Sequence, residues 1–322
     1  MRSHLRRLPA LVRRRLSPSA PVPRPSFLAQ REALRRTRAL GHELGVRDPV
    51  FEVNSKLESR AWADRLGVRQ AELLAHVNDV DQVPWSRLPG RFVVKPVHGA
   101  GSRGVHLLER AGDGLRDVRR DRPTSVEEVV ADLRRSAAEG VVSAEVLVEE
   151  LVADPQRPGA GPVDWKCSTF FGVVGVVEAK VAGRDGEPRW RLFDADWRDL
   201  GRGWRDEQPL AAGLRPPAHA AAVVDLARRV SACVPRPFVR IDLYDGEDGP
   251  VFGEITPEPG GPTGFRADVD EHLGRLWEEA EARLMVRGAA AGLLSPADAP
   301  LPESALLLER RPVATTTGAL AR

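Results

Sequence analysis

Leu28, Leu34, Leu40 and Leu44 recur among charged residues between positions 26 and 45, and this spacing predicts an amphipathic helix. The next stretch, NSKLESRAWADRLGV, reads as a second helix with Asn54 or Ser55 as N-cap and Gly67 as stop. AELLAHV then carries a short apolar run into the polar loop NDVDQVP. RFVVKP and GVHLLER are short apolar runs of the kind that form strands. TSVEEVVADLRRSAAEG begins like a helix, with Thr124 or Ser125 as cap and acids in the first turn. VLVEELV is a strand that ends in acids, and a loop rich in Pro and Gly at 154–162 separates it from DWKCSTFFGVVGVVEAKVA. The latter reads as two strands joined around Gly172 to Gly175. Beyond a ragged tryptophan-rich stretch, HAAAVVDLARRVSACV is an amphipathic helix. FVRIDLYD and PVFGEITP are strands joined by a turn in GEDGP, and VDEHLGRLWEEAEARLMVRGAA is a last helix before a Pro/Ala-rich tail from about residue 295. Strands in pairs, each pair followed by a helix, predict an α+β protein rather than a doubly wound sheet.

Composition narrows the function classes. The chain has 322 residues, enough for two or three small domains, with 42% apolar and 29% charged residues as in ordinary globular proteins. A net charge of +2 gives no nucleic-acid signal, so no nucleic-acid partner is expected. The positive charge is local: Met1 to Gln30 holds seven arginines, no acids, and Pro9, Pro18, Pro21, Pro23 and Pro25. That stretch is expected to be a disordered basic leader, or in part a misplaced start codon, with a membrane-surface or polyanion contact as the functional alternative. It has no apolar run of signal-peptide length, and no transmembrane segment is expected. Cys167 and Cys233 form neither a disulfide framework nor a metal spacing, which fits a cytoplasmic location. Of 48 basic residues only Lys56, Lys95, Lys166 and Lys180 are lysine. Where arginine serves nearly everywhere, a retained lysine marks a place that needs a compact point charge.

VVKPVHGAGSRGVHLL contains Gly99, Gly101 and Gly104 in the spelling G-x-G-x-x-G. A dinucleotide fingerprint needs a helix after the loop, whereas VHLLER is short, strand-like and broken at once by AGDG. A P-loop needs Gly-Lys-Ser/Thr at its end, which Arg103-Gly104-Val105 does not supply. A protein kinase would show H-R-D and D-F-G elements, and none is present. Two readings remain: a plain glycine-rich hairpin, or a flap whose glycines let backbone close over phosphates while Lys95 reaches them from beneath.

A second constellation lies in FVRIDLYDGEDGPVFGEITPEPGG. Alternation puts Arg240 and Asp242 on one face of the first strand, and Glu254 and Thr256 on one face of its partner. Two carboxylates from paired strands, with an oxygen two residues on, suit Mg²⁺, which leaves its other positions to water and phosphate. Arg240 would add a cation for a transferring phosphoryl group. The bland alternative is a surface hairpin with charged outer faces.

Both constellations together resemble the ATP-grasp superfamily, with the ending Arg240, Asp242, Glu254, Thr256, Pro259 and Gly260 similar to that of D-alanine–D-alanine ligases except that Thr256 stands where asparagine is usual. More closely, the chain resembles the TupA-like, teichuronopeptide-biosynthesis type. NSK (Asn54 to Lys56), KPVHGAG (Lys95 to Gly101), DWK (Asp164 to Lys166), FDADW (Phe193 to Trp197) and the ending from Val239 to Gly264 follow one another in that family's order, with Val97 departing from the pattern. The resemblance implies an ATP-grasp fold: two α+β subdomains clasping ATP, at 91–153 with the flap and at 154–290 with the metal-binding hairpin. A leader (1–25), an N-terminal helical/αβ region (26–90) and a tail (291–322) surround them. It implies ATP and Mg²⁺ as cofactors, with Asp242, Glu254 and Thr256 as metal ligands. Lys95 is then the α/β-phosphate lysine, and Lys166 with Arg240 the catalytic cations. His98, Gly99, Ala100, Gly101, Ser102 and Gly104 are the flap over the phosphates, although His98 has loop capping as its alternative. VEELV is then the adenine hinge, where Glu150 and Leu151 offer backbone groups to the base, with Glu149 or Asp154 as candidates for the ribose hydroxyls. Lys180 has no family position, and Asp194 and Asp196 either face the acceptor or cap a turn. The implied reaction is ATP-dependent ligation of a carboxylate to an amine, through an acyl phosphate, on a small molecule or polymer; the alternatives are an ATP-grasp kinase that phosphorylates a hydroxyl and a non-catalytic nucleotide-binding accessory protein. No general base is evident in the sequence.

Overall fold

The computed structural model describes residues 24–46, 50, 55–99, 101–183, 187–201, 203–204, 208–259 and 264–290. The leader up to residue 23, Asn54, Ala100, Gly260 and the tail from 291 lie outside the described residues.

Two helices lead the chain, α1 (Phe27–Glu43) and α2 (Lys56–Arg65). Both have serine N-caps: Ser26 Oγ accepts from Ala29 N, and Ser55 Oγ accepts from Glu58 N. The first sheet holds β1 (Leu73–Val77), β2 (Arg91–Pro96), β3 (His106–Ala111), β4 (Gly114–Asp117), β5 (Arg122–Thr124) and β6 (Val146–Glu150), in the order β1-β6-β2-β3-β4-β5. Helix α3 (Val126–Ala138), capped by Ser125, packs Val129 and Leu133 against Phe92, Val94, Leu108 and Val148. Strand β2 alternates accordingly: Phe92, Val94 and Pro96 are buried, and Arg91, Val93 and Lys95 point to the other face. The 26–90 segment contributes β1 as an edge strand of this sheet.

The second sheet holds β7 (Asp164–Thr169), β8 (Val174–Ala182), β9 (Pro188–Asp194), β10 (Asp199–Gly201), β11 (Val239–Gly246) and β12 (Gly249–Thr256), in the order β10-β9-β8-β7-β11-β12. Helix α4 (Ala220–Ala232) covers one face through Val223, Leu226, Ala227 and Val230, which meet Trp165, Cys167, Val177, Ile241 and Leu243. Part of the opposite face is covered by α1 and α5 (Ala267–Ala290) through an aromatic cluster of Phe27, Phe170, Phe238, Phe265 and Trp277. All ladder pairs in both sheets are antiparallel, which gives the α+β class expected from the pattern. Four strands were not expected: β4 and β5 after AGDG, and β9 and β10 in the tryptophan-rich stretch. GLRD and RPT are too short and polar to show a period, and in β9 Arg189 and Arg191 alternate with Trp190 and Leu192 over only four residues before Phe193 breaks the pattern.

Candidate active site

Register alone lines up four ionisable side chains across four strands. Glu178 on β8 stands opposite Lys166 on β7, Lys166 opposite Asp242 on β11, and Asp242 opposite Glu254 on β12. One step along, Arg240 lies between Ser168 and Thr256. The two-residue period puts all of them on the face that α4 does not cover.

Asp242 is the hub. Its Oδ2 accepts from Lys166 Nζ at 2.5 Å, and Arg240 holds it through Nε to Oδ1 at 2.6 Å and Nη2 to Oδ2 at 2.7 Å. Lys166 also pairs with Asp164 at 2.8 Å, and Arg240 donates to Thr256 Oγ1 at 3.1 Å. Burial alone would raise the Asp242 pKa, but Arg240 and Lys166 outweigh it and hold the carboxyl well below the usual range. Burial and the Asp242 charge push Glu254 the other way, upward, because its nearest cation, Arg240 Nη2, is 3.9 Å away. Its side chain is 37% exposed, so it opens into the cleft rather than into the core. Glu254 is thus the weakly bonded member of the pair.

Facing this row is the first sheet. Lys95 Nζ forms an ion pair with Glu149, whose other oxygen accepts from Arg60 of α2 at 2.9 Å. Lys56 Nζ donates to Val97 O at 3.3 Å, and desolvation lowers its pKa while Glu254 raises it. The loop after β2 contains Gly101 (φ 69°), Ser102 (φ 62°) and Gly104 (φ 66°), all in the left-handed region. It returns as strand β3, not as a helix, so it is a hairpin. Ser102 Oγ accepts from Lys180 Nζ of β8 at 2.9 Å, and Ser102 O accepts from Arg119 at 3.2 Å. The hairpin therefore reaches across to the second sheet.

The remaining expected residues fall as follows. His98 is pinned by its backbone, its N donating to Ser143 Oγ at 3.0 Å, and its side chain is exposed. Glu149 faces the cleft, whereas Glu150 points to the opposite face of β6, and its N–H is taken by Glu72 O at 2.9 Å. Leu151 is buried, beside an apolar cluster of Ala71, Val152, Val251 and Tyr244 where the two sheets meet. Asp154 is buried and closes its own loop, accepting from Gln156 N and Val163 N. Asp194 caps a turn, its Oδ1 accepting from Asp196 N at 2.9 Å and Arg198 N at 2.8 Å. Lys180 is half-buried and turned to the flap rather than to solvent. Glu178 was not singled out from the sequence; VVEAKVA carries no motif, and only register reveals it.

Among the described residues no cluster of three or more His, Cys, Asp or Glu is built to hold a metal alone. The pair Asp242 and Glu254, adjacent across β11 and β12 with Thr256 Oγ1 beside them, fits Mg²⁺, which needs only one or two carboxylates when phosphates complete its shell.

Two antiparallel sheets that face each other across a polar cleft, one bearing a lysine and a glycine hairpin and the other a carboxylate hairpin, define the ATP-grasp class of fold. The TupA-like ATPgrasp family profile matches residues 67–278, and the chain belongs to that family. A comparison with curated proteins finds no match. Among solved structures the chain is similar to D-alanine–D-alanine ligase from Bacillus anthracis complexed with ATP, at 14% identity and TM-score 0.44, over 73% of this chain and 68% of that one. It is also similar to the ATP-grasp ligase PsnB in complex with a phosphomimetic variant of its minimal precursor, Mg and ADP, at 20% identity and TM-score 0.42, over 80% and 70% of the two chains. The D-cycloserine synthetase DcsG matches at 20% identity and TM-score 0.40, over 72% and 71%. No helix among the described residues is long and apolar enough to cross a membrane.

Proposed function

We propose that the cleft binds ATP with Mg²⁺ and joins a carboxylate to an amine, releasing ADP and phosphate. The observation that carries this reading is the row Lys166–Asp242–Glu254 with Arg240 beside it, placed on the sheet face toward which the glycine hairpin reaches. Lys95, Lys166 and Arg240 offset charge on the phosphates and on the acyl oxygen. The Gly101–Gly104 hairpin covers the phosphates and excludes water, and the end of β6 with Tyr244 and Val251 receives the base. Mg²⁺, when bound by Asp242, Glu254 and Thr256, would neutralise charge on the β- and γ-phosphates. A carboxylate oxygen attacks the γ-phosphorus and ADP leaves. The amine then attacks the acyl carbon, and phosphate and one proton depart. The protein's share is position and charge rather than covalent chemistry. The TupA-like resemblance directs the substrate reading to an amino acid and a uronic-acid or peptide carboxylate of a cell-surface polymer.

The test is incubation with ATP, Mg²⁺, hydroxylamine and a pool of amino acids and uronic acids. ADP with hydroxamate is expected. AMP as the nucleotide product contradicts the reading, and a stable phosphorylated product without hydroxamate points to a hydroxyl kinase instead. Glu254→Gln is the clean variant, because among the described residues Glu254 makes only a 3.5 Å contact from Thr256 and the distant contact to Arg240. It should abolish turnover while costing under about 1 kcal/mol of stability.

A further inference from the structure

The proposed reaction must take a proton from the incoming amine. Glu178 is the one acid in the row that neither nucleotide nor metal would use. Its residue is 5% exposed, on the site face of β8, opposite Lys166 and on the far side of Lys166 from Asp242 and Glu254. With strands about 4.8 Å apart, Glu178 stands roughly 5 Å from the Lys166 position and 10 Å from that of Asp242. The phosphates would lie over the Asp242–Glu254 end, which leaves the Glu178 end of the row to the second substrate.

Buried polar atoms without a partner converge here. Glu178 has no ion pair among the described residues. The Trp204 indole N–H lies close to its carboxyl, yet Trp204 Nε1 completes no hydrogen bond. Asp164, diagonal to Glu178 across the β7–β8 ladder, leaves its Oδ1 unpaired while its Oδ2 holds Lys166. Buried polar groups left open in this way are rare unless a ligand completes them. The groups that face or flank Glu178 are Lys166 and Asp164 on β7, Arg240 and Asp242 on β11, Leu192 on β9, Trp204, and Lys180 two residues along its own strand. Lys180 is turned away to Ser102 of the flap.

We propose that Glu178, with the open oxygen of Asp164 beside it, receives the ammonium group of the acceptor substrate and takes its proton as the amine attacks the acyl phosphate. The inference rests on the ligase reading and adds to it the acceptor's chemical class, a primary amine that arrives protonated. In the step, one ammonium proton passes to a Glu178 carboxylate oxygen and frees the nitrogen lone pair, which forms the C–N bond; the acyl C–O bond to phosphate breaks with its electrons going to phosphate, and the second N–H proton leaves on the departing phosphate. Burial raises the Glu178 pKa to about 7 despite Arg240 and Lys166, so near neutral pH the group can both accept and return a proton.

Glu178→Gln tests it, with the same pool of amino acids and uronic acids as probe. Hydroxylamine is neutral at pH 7 and needs no base. The variant should therefore form hydroxamate within about twofold of wild type while amide formation falls on the order of 10²–10⁴-fold. The wild-type amide rate should rise with pH along a limb near 7, and that limb should be missing in the variant. Hydroxamate and amide both retained, with the limb intact, overturns the inference alone. Loss of both in the variant places Glu178 in the phosphoryl step or the fold, and also overturns it. No hydroxamate from wild-type protein overturns the ligase reading, and this inference with it.

Discussion

At the scale of single residues, the site holds two carboxylates with opposite electrostatic fates. Asp242 is neutralised by two cations, so removing it leaves Lys166 and Arg240 buried and mutually repelling. Asp242→Asn should cost about 3–5 kcal/mol of stability, the range for breaking a buried pair, whereas Glu254→Gln should cost under about 1 kcal/mol. Urea titrations of the two variants check this, and equal losses would contradict the hub assignment. Glu178 behaves in reverse. Its folded pKa of about 7 lies above the ordinary glutamate value of 4.5, so between these values the folded protein keeps a proton that the unfolded chain has lost. Its contribution is complete below about 4.5, is lost as pH rises through 7, and changes no further above that. The glutamine variant has no such loss. Its stability relative to wild type should grow between pH 4.5 and 7, to a ceiling of roughly 3 kcal/mol at 1.36 kcal/mol per pK unit. A difference that stays flat over that range would show that Glu178 is not desolvated.

At the scale of elements, the flap is the informative piece. Gly101 and Gly104 share a left-handed backbone but not their surroundings: a Cβ on Gly101 would meet nothing within 4 Å, whereas one on Gly104 would meet Pro96 Cγ at 2.9 Å and Leu133 Cδ2 at 3.2 Å. Gly101→Ala should cost about 1–2 kcal/mol from backbone strain alone. Gly104→Ala adds overpacking of about 1–3 kcal/mol against β2 and α3, and it should lower the thermal midpoint further. Equal midpoints would mean that the hairpin base is loose. That this loop turns into a strand was legible in VHLLER, because a four-to-six-residue apolar run cut off by AGDG has no room for a helix. PRWRLFD alternates over only four residues, so β9, the strand that flanks β8 on the Glu178 side of the sheet, was not expected. The motif around Asp242 was readable because Arg240, Glu254 and Thr256 lie on the same hairpin, and that around Lys95 because the glycines follow it directly; the ion pairs of Asp242 with Lys166 and of Lys95 with Glu149 join strands distant in the chain and were not. Glu178 was not, because its meaning depends on a ladder partner 12 residues earlier in the chain and on β11 beyond that.

At the scale of the molecule, α2 ties the two sheets together, and no pattern in NSKLESRAWADRLGV announces it. Ser59 Oγ accepts from Ile255 N of β12 at 2.8 Å, while Arg60 donates to Glu149 of β6 at 2.9 Å and to Ala71 O at 3.0 Å. These partners are 196 and 89 residues away along the chain, beyond the reach of any local period. The consequence concerns nucleotide binding as well as stability. Glu149 is shared by Arg60 and Lys95. For Lys95 to turn to a phosphate, Glu149 must stay neutralised, and Arg60 is the group that does so. Arg60→Met should therefore lower the thermal midpoint of the free protein, by the equivalent of about 1–3 kcal/mol for a buried carboxylate losing a charged partner. It should also weaken ATP binding about tenfold, because Lys95 then leaves Glu149 at a cost. At fixed excess ATP and Mg²⁺ a tenfold weaker affinity removes about 1.4 kcal/mol from the ligand-induced stabilisation. Thermal unfolding with and without nucleotide separates the two effects. A lower midpoint with an unchanged ATP increment would make Arg60 a staple between sheets and nothing more.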